Sequence, residues 1–166
     1  MTDIQYTTER LIIRPLAVRD DRFILELVNT EGWIRFIGNR NIKSEVSAHL
    51  YIRKILVSQD VAYWVVSRLT DAEKIGIITY IKRVYLEHRD IGFAFLPLYS
   101  EQGYAYEAAS GFLSQLIKER QPARILATTV PGNSRSIKLL YKLGFVFDRR
   151  IEVANERLHV YGKAPR

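Results

Sequence analysis

The chain has 166 residues, of which 48% are hydrophobic and 26% charged, and a formal net charge of +7. This length and composition are ordinary for one globular unit, so we expect residues 1–166 to form a single domain. The sequence contains no cysteine, which excludes disulfide scaffolds, cysteine-based metal sites and a cysteine nucleophile. Its three histidines show no metal-ligand spacing, and we expect no bound metal.

Charge and hydropathy narrow the classes of partner. A basic chain attracts anionic ligands, nucleic acid or anionic membranes, but the Lys and Arg residues are scattered and form no stripe interleaved with aromatics. We therefore expect no nucleic acid. Residues 1–6 carry no secretory signal, and no apolar run approaches the ~20 residues of a membrane span. We expect a cytoplasmic protein without a membrane partner, and the oligomeric state stays open, with a homodimer as one option.

The first third of the chain predicts one strand and two helices. Residues 9–16 form an apolar strand that Pro15 closes. Helical spacing at 18–29 places four apolar residues on one face, namely Phe23, Ile24, Leu27 and Val28. Residues 32–38, rich in glycine and aromatics, are expected to be a loop or short turn. Ser44 can cap a second helix to about residue 58. The residues expected on the buried side of that helix are Val46, Leu50, Ile52, Ile55 and Leu56.

The rest of the chain alternates strands and helices. Residues 61–69 and 74–82 predict an antiparallel hairpin, and a strand at 89–96 ends at Pro97. The clearest helix spans 103–120, followed by a strand at 124–130 and a short helix at 133–143. A closing hairpin is predicted at 145–153 and 157–162. This order indicates a mixed α/β (α+β) domain with a mostly antiparallel central sheet of six to seven strands and about four helices.

The residues around Gly103 predict an anion site. Gly103 has no Cβ, so a phosphate can approach the backbone there, and Ala105 is small for the same purpose. The first N–H groups of the following helix have no intrahelical partner, and a diphosphate satisfies them at the positive end of the helix dipole. The simpler alternative is a plain loop with a convenient glycine.

A second stretch begins at Asn133, directly after Pro131 and Gly132. Asn133 precedes apolar helical spacing and is a good N-cap. Ser136, three residues on, can present its hydroxyl toward the sheet, although a surface serine without a function is the simpler interpretation. Gly144 ends the helix, and Phe145 begins the next strand by burying its ring.

Two motifs together resemble the GNAT superfamily of N-acetyltransferases. They are Gln102-Gly103-Tyr104-Ala105-x-Glu107-Ala108 and Asn133-x-x-Ser136-Ile137-x-x-Leu140-x-Lys142-Leu143-Gly144-Phe145. Residues 8–16 and 90–93 resemble the RimJ/RimL-like branch, which includes enzymes that acetylate protein N-termini. The resemblance covers nearly the whole chain, with its elements in the expected order.

The resemblance implies acetyl-CoA as cofactor and a V-shaped splay between the strands at 90–96 and 124–130. The pantetheine arm would insert there against Phe93 and Phe95, and a backbone N–H near Phe95 or Leu96 would bind the thioester carbonyl oxygen. The backbone amides implied at the diphosphate are those of Glu101, Gln102, Gly103, Tyr104 and Ala105. Asn133 and Ser136 would face the pantetheine and its thiol end.

Two positions depart from the family pattern. Ser100 and Glu101 stand where the family usually has Gln or Arg and often glycine, and the Glu101 carboxylate should point away from a diphosphate. The tyrosine that protonates the leaving thiolate in many members is replaced by Leu140, and Tyr141 is displaced by ~100° around the helix. Ser136 is therefore the candidate for assisting the thiolate.

The general base is Asp90 in this interpretation, with an ordinary solvent-exposed acid as the simpler alternative and Glu87 and Glu156 as weaker candidates. An enzyme without an obvious strong base favours an α-amine, whose pKa of ~7.8 makes the free amine ~3.5 kcal/mol easier to populate than that of lysine. Aromatic and basic residues expected around the acceptor are Trp33, Arg35, Phe36, Tyr63 and Tyr80.

These observations predict an acetyl-CoA-dependent N-acetyltransferase. It would act by direct attack of a primary amine, from a protein N-terminus or a small molecule, in a ternary complex. The alternative is a catalytically silent acyl-CoA-binding sensor or interaction module, which the missing tyrosine and the altered turn would explain.

Overall fold

A computed structural model describes residues 4–166. Residues 1–3, which belong to the segment expected to carry no secretory signal, lie outside the described residues. Its strands are β1 (Tyr6–Thr7), β2 (Leu11–Pro15), β3 (Val61–Arg68), β4 (Lys74–Ile81), β5 (Asp90–Phe95), β6 (Ile125–Thr129), β7 (Val146–Val153) and β8 (Glu156–Lys163). Its α-helices are α1 (Asp21–Val28), α2 (Glu31–Phe36), α3 (Glu45–Val57), α4 (Tyr104–Arg120) and α5 (Ser134–Lys142).

The strands form one 8-stranded sheet in the order β1-β2-β3-β4-β5-β6-β8-β7. Neighbouring strands are antiparallel except β5 and β6, which are parallel. The predicted mixed α/β fold with a mostly antiparallel sheet is therefore confirmed. The expected numbers of strands and helices were too low by one each, because the two-residue strand β1 and the short helix α2 were not predicted as regular structure.

Helix α2 lies where the sequence suggested a loop or short turn. Thr30 caps it by accepting a hydrogen bond from the Trp33 backbone N–H, and the Trp33 side chain is buried. A helix of six residues with one buried anchor presents too short a pattern for helical periodicity to stand out. The cap at Thr30 was the available signal.

Side-chain alternation gives the sheet two distinct faces. Trp64 of β3 packs on Phe112 of α4 with ring centroids 4.6 Å apart, so this side is called the α4 face. On the other side, the Tyr63 hydroxyl hydrogen-bonds to that of Tyr51 in α3 at 2.9 Å, and this side is called the α3 face. Helix α5 packs beside α4, where the Lys142 Nζ lies 4.1 Å from the centroid of the Tyr106 ring.

The predicted core face of α1 is confirmed, and α4 buries an apolar face of its own. Phe23, Ile24, Leu27 and Val28 are buried, as are Ala108, Ala109, Phe112, Leu113 and Leu116. The prediction for α3 was partly wrong. Ile52 and Ile55 are buried with Ala48, whereas Val46, Leu50 and Leu56 are exposed.

Two further features concern the described residues as a set. Within residues 4–166, no helix is long and apolar enough to cross a membrane. In the same range, no three His, Asp or Glu side chains gather into a group that could hold a metal ion.

Candidate active site

The turn before α4 presents a row of free backbone donors. A short 3-10 helix, Pro97–Tyr99, leads from β5 into this turn, where Glu101 and Gly103 adopt left-handed φ angles of +61° and +81°. Across residues 4–166, no hydrogen-bond acceptor lies in reach of the backbone N–H groups from Glu101 to Tyr106. Because the positive end of the α4 dipole lies at the same place, this turn suits a diphosphate.

Two side chains of the turn are held by partners outside it. The Gln102 amide donates to the Leu98 carbonyl oxygen at 3.1 Å, which fixes the turn onto the preceding 3-10 helix. The Glu101 carboxylate accepts from Arg135 of α5 at 3.4 Å, and both side chains are largely exposed. A negative side chain beside a diphosphate would repel it, and this exposed pair screens that charge only weakly.

The sequence analysis did not identify Arg10, directly before β2, or its partner Glu107 in the first turn of α4, although the two brace this turn. The Arg10 Nε donates to the Glu107 carboxylate at 2.7 Å, and its Nη1 donates to the Gln102 carbonyl oxygen at 3.0 Å. The signal in the sequence was a basic residue in the stretch 8–16 and an acidic residue in the motif that begins at Gln102. Nothing local reveals that they meet, since 97 positions separate them.

Strands β5 and β6 part after a single pair. Their register includes only Asp90 opposite Leu126, supported by the Leu126 N–H donating to the Arg89 carbonyl oxygen at 3.1 Å. Both strands continue beyond it, β5 to Phe95 and β6 to Thr129. The cleft so opened has strand edges on both sides, and an extended chain can pair with such an edge.

The alternation of the β4–β5 ladder decides which amides face this cleft. The Leu96 N–H donates to the Ile75 carbonyl oxygen of the neighbouring strand at 2.8 Å. In an antiparallel ladder, successive N–H groups point to opposite sides, so the Phe95 and Phe93 amides point toward β6. Of the two amides expected at a thioester carbonyl, Phe95 is therefore available and Leu96 is engaged.

The rings of Phe93 and Phe95 are half-buried on the α4 face. Phe95 lies directly across Gly76, where an added Cβ would come within 2.4 Å of the ring. The absence of a side chain at Gly76 therefore lets Phe95 lie flat on the sheet at the edge of the cleft.

Asp90 lies at the closed end of the cleft on the α3 face. It is only 3% exposed, so the alternative of a solvent-exposed acid is wrong. Its carboxylate accepts from the Arg83 Nε at 3.0 Å and from the Thr128 hydroxyl at 3.1 Å. Burial raises the pKa of Asp90 above its usual value, although Arg83 and Thr128 oppose the shift. A carboxylate with a raised pKa in a cleft is a candidate proton acceptor.

The two weaker candidate bases are placed differently. Glu87 is exposed and paired with Arg149 at 2.7 Å, and this arginine holds the pKa of Glu87 below its usual value. Glu156 is exposed at the start of β8. Of the three acids considered, Asp90 is the one that the fold brings to the cleft.

Helix α5 begins as predicted. The Asn133 side chain caps it by accepting from the Ser136 N–H at 3.3 Å. Ser136 is half-buried, and its hydroxyl has no hydrogen-bond partner within the described part of the chain. Leu140 is buried in the core, whereas Tyr141 stacks edge-on against Tyr161 of β8 with centroids 5.7 Å apart. Since β8 lies beyond β6, the Tyr141 phenol is turned away from the cleft.

The residues expected around the acceptor do not form one group. Trp33 is buried, and its indole N–H is a donor without a partner among residues 4–166. Arg35 is exposed and lies over the Phe36 ring at 4.9 Å. Tyr63 is on the α3 face, but alternation puts Tyr80 on the α4 face, under Arg89 at 5.8 Å.

Comparison with known proteins decides the family. Residues 10–146 match the family model described as an acetyltransferase (GNAT) domain. The chain belongs to the GNAT acetyltransferase family. It is also 30% identical over 138 residues to the uncharacterized N-acetyltransferase YnaD of Bacillus subtilis (strain 168), and the match covers 83% of this chain and 80% of YnaD.

Solved structures agree with this assignment. A GNAT-family acetyltransferase from Bacillus anthracis superposes with a TM-score of 0.82 at 25% identity, covering 98% of this chain and 99% of that one. RimL, a ribosomal L7/L12 α-N-protein acetyltransferase in complex with coenzyme A, gives a TM-score of 0.83 at 10% identity over 96% of both chains. The second likeness concerns the fold alone.

This GNAT protein is therefore an N-acetyltransferase whose acetyl donor is acetyl-CoA. The residues present fit that donor. Unpaired amides at the start of α4 suit a diphosphate, and the parted strands β5 and β6 leave room for an extended pantetheine arm. Of the cofactor-binding positions expected from the sequence, Phe93 and Phe95 lie on the strand that borders the opening, and residues 101–105 form the turn with the unpaired amides.

Proposed function

We propose that this chain transfers an acetyl group to a primary amine, from a protein N-terminus or a small molecule, by direct attack in a ternary complex. The observation that carries the proposal is the single-pair opening between β5 and β6, which ends at the free amides before α4. The motifs at 8–16 and 90–93 support placement in the RimJ/RimL-like branch.

In this proposal, two groups of backbone N–H groups bind acetyl-CoA. The amides of Glu101 to Ala105 bind the diphosphate, and the Phe95 N–H donates to the thioester carbonyl oxygen. A donor aimed at an oxygen that gains negative charge stabilises the transition state more than the ground state. The cysteine-free sequence favours direct attack over a thioester-linked acyl-enzyme.

Asp90 and Ser136 act on the protons. Asp90 accepts the proton that the attacking nitrogen loses, because its buried carboxylate has a raised pKa and lies at the closed end of the cleft. Ser136 presents its free hydroxyl from the first turn of α5 and assists the departing thiolate. With a base that is already engaged by Arg83, an α-amine of low pKa is the better acceptor.

The test begins with calorimetric titration of acetyl-CoA, followed by a thiol-release assay over peptides, amino acids, polyamines and aminoglycosides. We expect binding, turnover with at least one α-amine, and intersecting initial-velocity lines, as a ternary complex requires. Binding without turnover on any acceptor would favour the sensor alternative. No binding at millimolar acetyl-CoA would reject both interpretations.

Two variants test the proton-transfer roles. Asp90→Asn should lower kcat/KM about 100-fold and remove the rise of kcat/KM with pH that titration of Asp90 produces. Ser136→Ala should lower kcat about tenfold without changing the affinity for acetyl-CoA. Glu87→Gln changes the exposed acid paired with Arg149 and is the matched control. It should leave kcat and kcat/KM unchanged. An Asp90→Asn enzyme with an unaltered pH profile would contradict the role of Asp90.

A further inference from the structure

The clamp formed by Thr8, Arg10 and Glu107 fixes one guanidinium at the start of α4. Glu107 lies in the first turn of the helix and accepts from the Thr8 hydroxyl at 2.6 Å, the Arg10 backbone N–H at 3.0 Å and the Arg10 Nε at 2.7 Å. The Arg10 Nη1 donates to the Gln102 carbonyl oxygen at 3.0 Å. The Arg10 side chain is 42% exposed, and these bonds fix it in one orientation.

The remaining nitrogen of this guanidinium lies beside the free amides. The Arg10 Nη2 is 3.3 Å from the point where a Cβ on Gly103 would be, and the guanidinium carbon is 4.4 Å from the Tyr104 ring centroid. Within residues 4–166, Nη2 donates to no acceptor, in contrast to Nε and Nη1. The clamp therefore leaves one charged donor unused at the turn.

The charge of Glu107 explains why such a donor is needed. Burial favours the neutral acid, but hydrogen bonds from Thr8 and Arg10 outweigh it and hold the pKa of Glu107 below its usual value. Glu107 is thus an anion one helical turn from the proposed diphosphate, and like-charge repulsion would oppose binding there. Arg10 neutralises Glu107 and adds a phosphate-directed donor, a task for which a planar guanidinium is well suited.

We propose that Arg10 is a diphosphate-binding residue, oriented by Glu107 and Thr8 so that its free Nη2 reaches the phosphate held on the amides of Glu101 to Ala105. This inference rests on the proposed placement of the cofactor. It adds a side chain from the turn between β1 and β2 to a site otherwise made of backbone donors. It also assigns Thr8 and Glu107 as positioning residues.

Arg10→Gln is compared with Arg22→Gln, which removes the same charge from an exposed ion pair with Glu45 on α3. Calorimetry measures CoA binding at two salt concentrations, and kinetics compares acetyl-CoA with S-acetylpantetheine, which lacks the diphosphate. Arg10→Gln should weaken CoA binding about tenfold and reduce its salt dependence. The kcat/KM for S-acetylpantetheine should change less than about twofold, and Arg22→Gln should behave as wild type.

An equal loss of kcat/KM with acetyl-CoA and with S-acetylpantetheine would show that Arg10 only stabilises the fold. Unchanged CoA binding would show that Arg10 is not part of the diphosphate site. Either result would overturn the inference while wild-type binding still stood. If wild type itself bound no CoA, the proposed function would fail first. Should Arg10→Gln unfold, Arg10→Lys is the substitute, because it keeps a positive charge beside Glu107 but lacks the planar guanidinium with its several N–H donors. This variant should still weaken the binding of CoA without affecting S-acetylpantetheine.

Discussion

At the scale of single residues, Glu101 combines two unfavourable properties. Its φ of +61° is a conformation that costs a non-glycine residue roughly 1–2 kcal/mol, and its carboxylate adds negative charge at a turn suited to a diphosphate. The family pattern often has glycine here, and the left-handed backbone supplies the physical reason. The sequence could therefore predict the departure at Glu101 but not the conformation that makes it matter.

Glu101→Gly should lower the Kd for CoA about threefold to tenfold, since it removes a like charge beside the diphosphate. Calorimetry at low salt measures the change. Ala72→Gly is the matched control, because Ala72 has a similar φ of +59° in the β3–β4 turn and carries no charge. An equal gain in affinity for both variants would show that charge at the turn has no part in the effect.

At the scale of elements, α3 shows where periodicity misleads. Its sequence is apolar on several sides, so the pattern could not single out the face toward the sheet. The structure buries Ala48, Ile52 and Ile55 and leaves Val46 at 71% exposure. Helix α1, whose apolar residues share one stripe, was predicted correctly for the same physical reason.

Two substitutions in α3 should separate these faces. Ile52→Ala removes a fully buried side chain and should lower the free energy of unfolding by about 2–4 kcal/mol. Leu50→Gln changes a residue that is 62% exposed and should change it by less than ~0.5 kcal/mol. Urea denaturation measures both values. Equal destabilisation would mean that the outer face of α3 is covered in solution.

At the scale of the whole molecule, long-range contacts between the N-terminal strands and α4 complete the site. The Tyr6 hydroxyl donates to the Ala108 carbonyl oxygen at 2.9 Å, and Arg10 reaches Glu107 across 97 positions of sequence. Caps and turns follow from local patterns, so the start of α4 could be predicted from its own residues, whereas the cleft was expected from the family resemblance. The side chains that brace them could not, because a single sequence does not reveal which distant residues meet.

A second long-range ion cluster makes global stability depend on pH. Asp20 is fully buried and accepts from Arg14 at 2.7 Å on β2 and from Lys74 at 2.8 Å on β4. Burial alone would raise the pKa of Asp20, but these partners and the Ala17 N–H outweigh it and lower the pKa from 3.8 to about 2. A lowered folded-state pKa contributes stability that is present above the unfolded value and is lost as the pH falls through the folded one.

The contribution of Asp20 should therefore vanish between about pH 4 and pH 2, and it amounts to about 2 kcal/mol. Urea denaturation of wild type and Asp20→Asn at a series of pH values measures it. The stability difference between the two proteins should be largest above pH 5 and should shrink by about 2 kcal/mol on acidification to pH 2. Asp60→Asn, at an exposed acid, is the control and should track wild type. A difference that stayed constant across this range would mean that Asp20 stabilises the fold through packing, because an ionised carboxylate between Arg14 and Lys74 must lose its contribution when it is protonated.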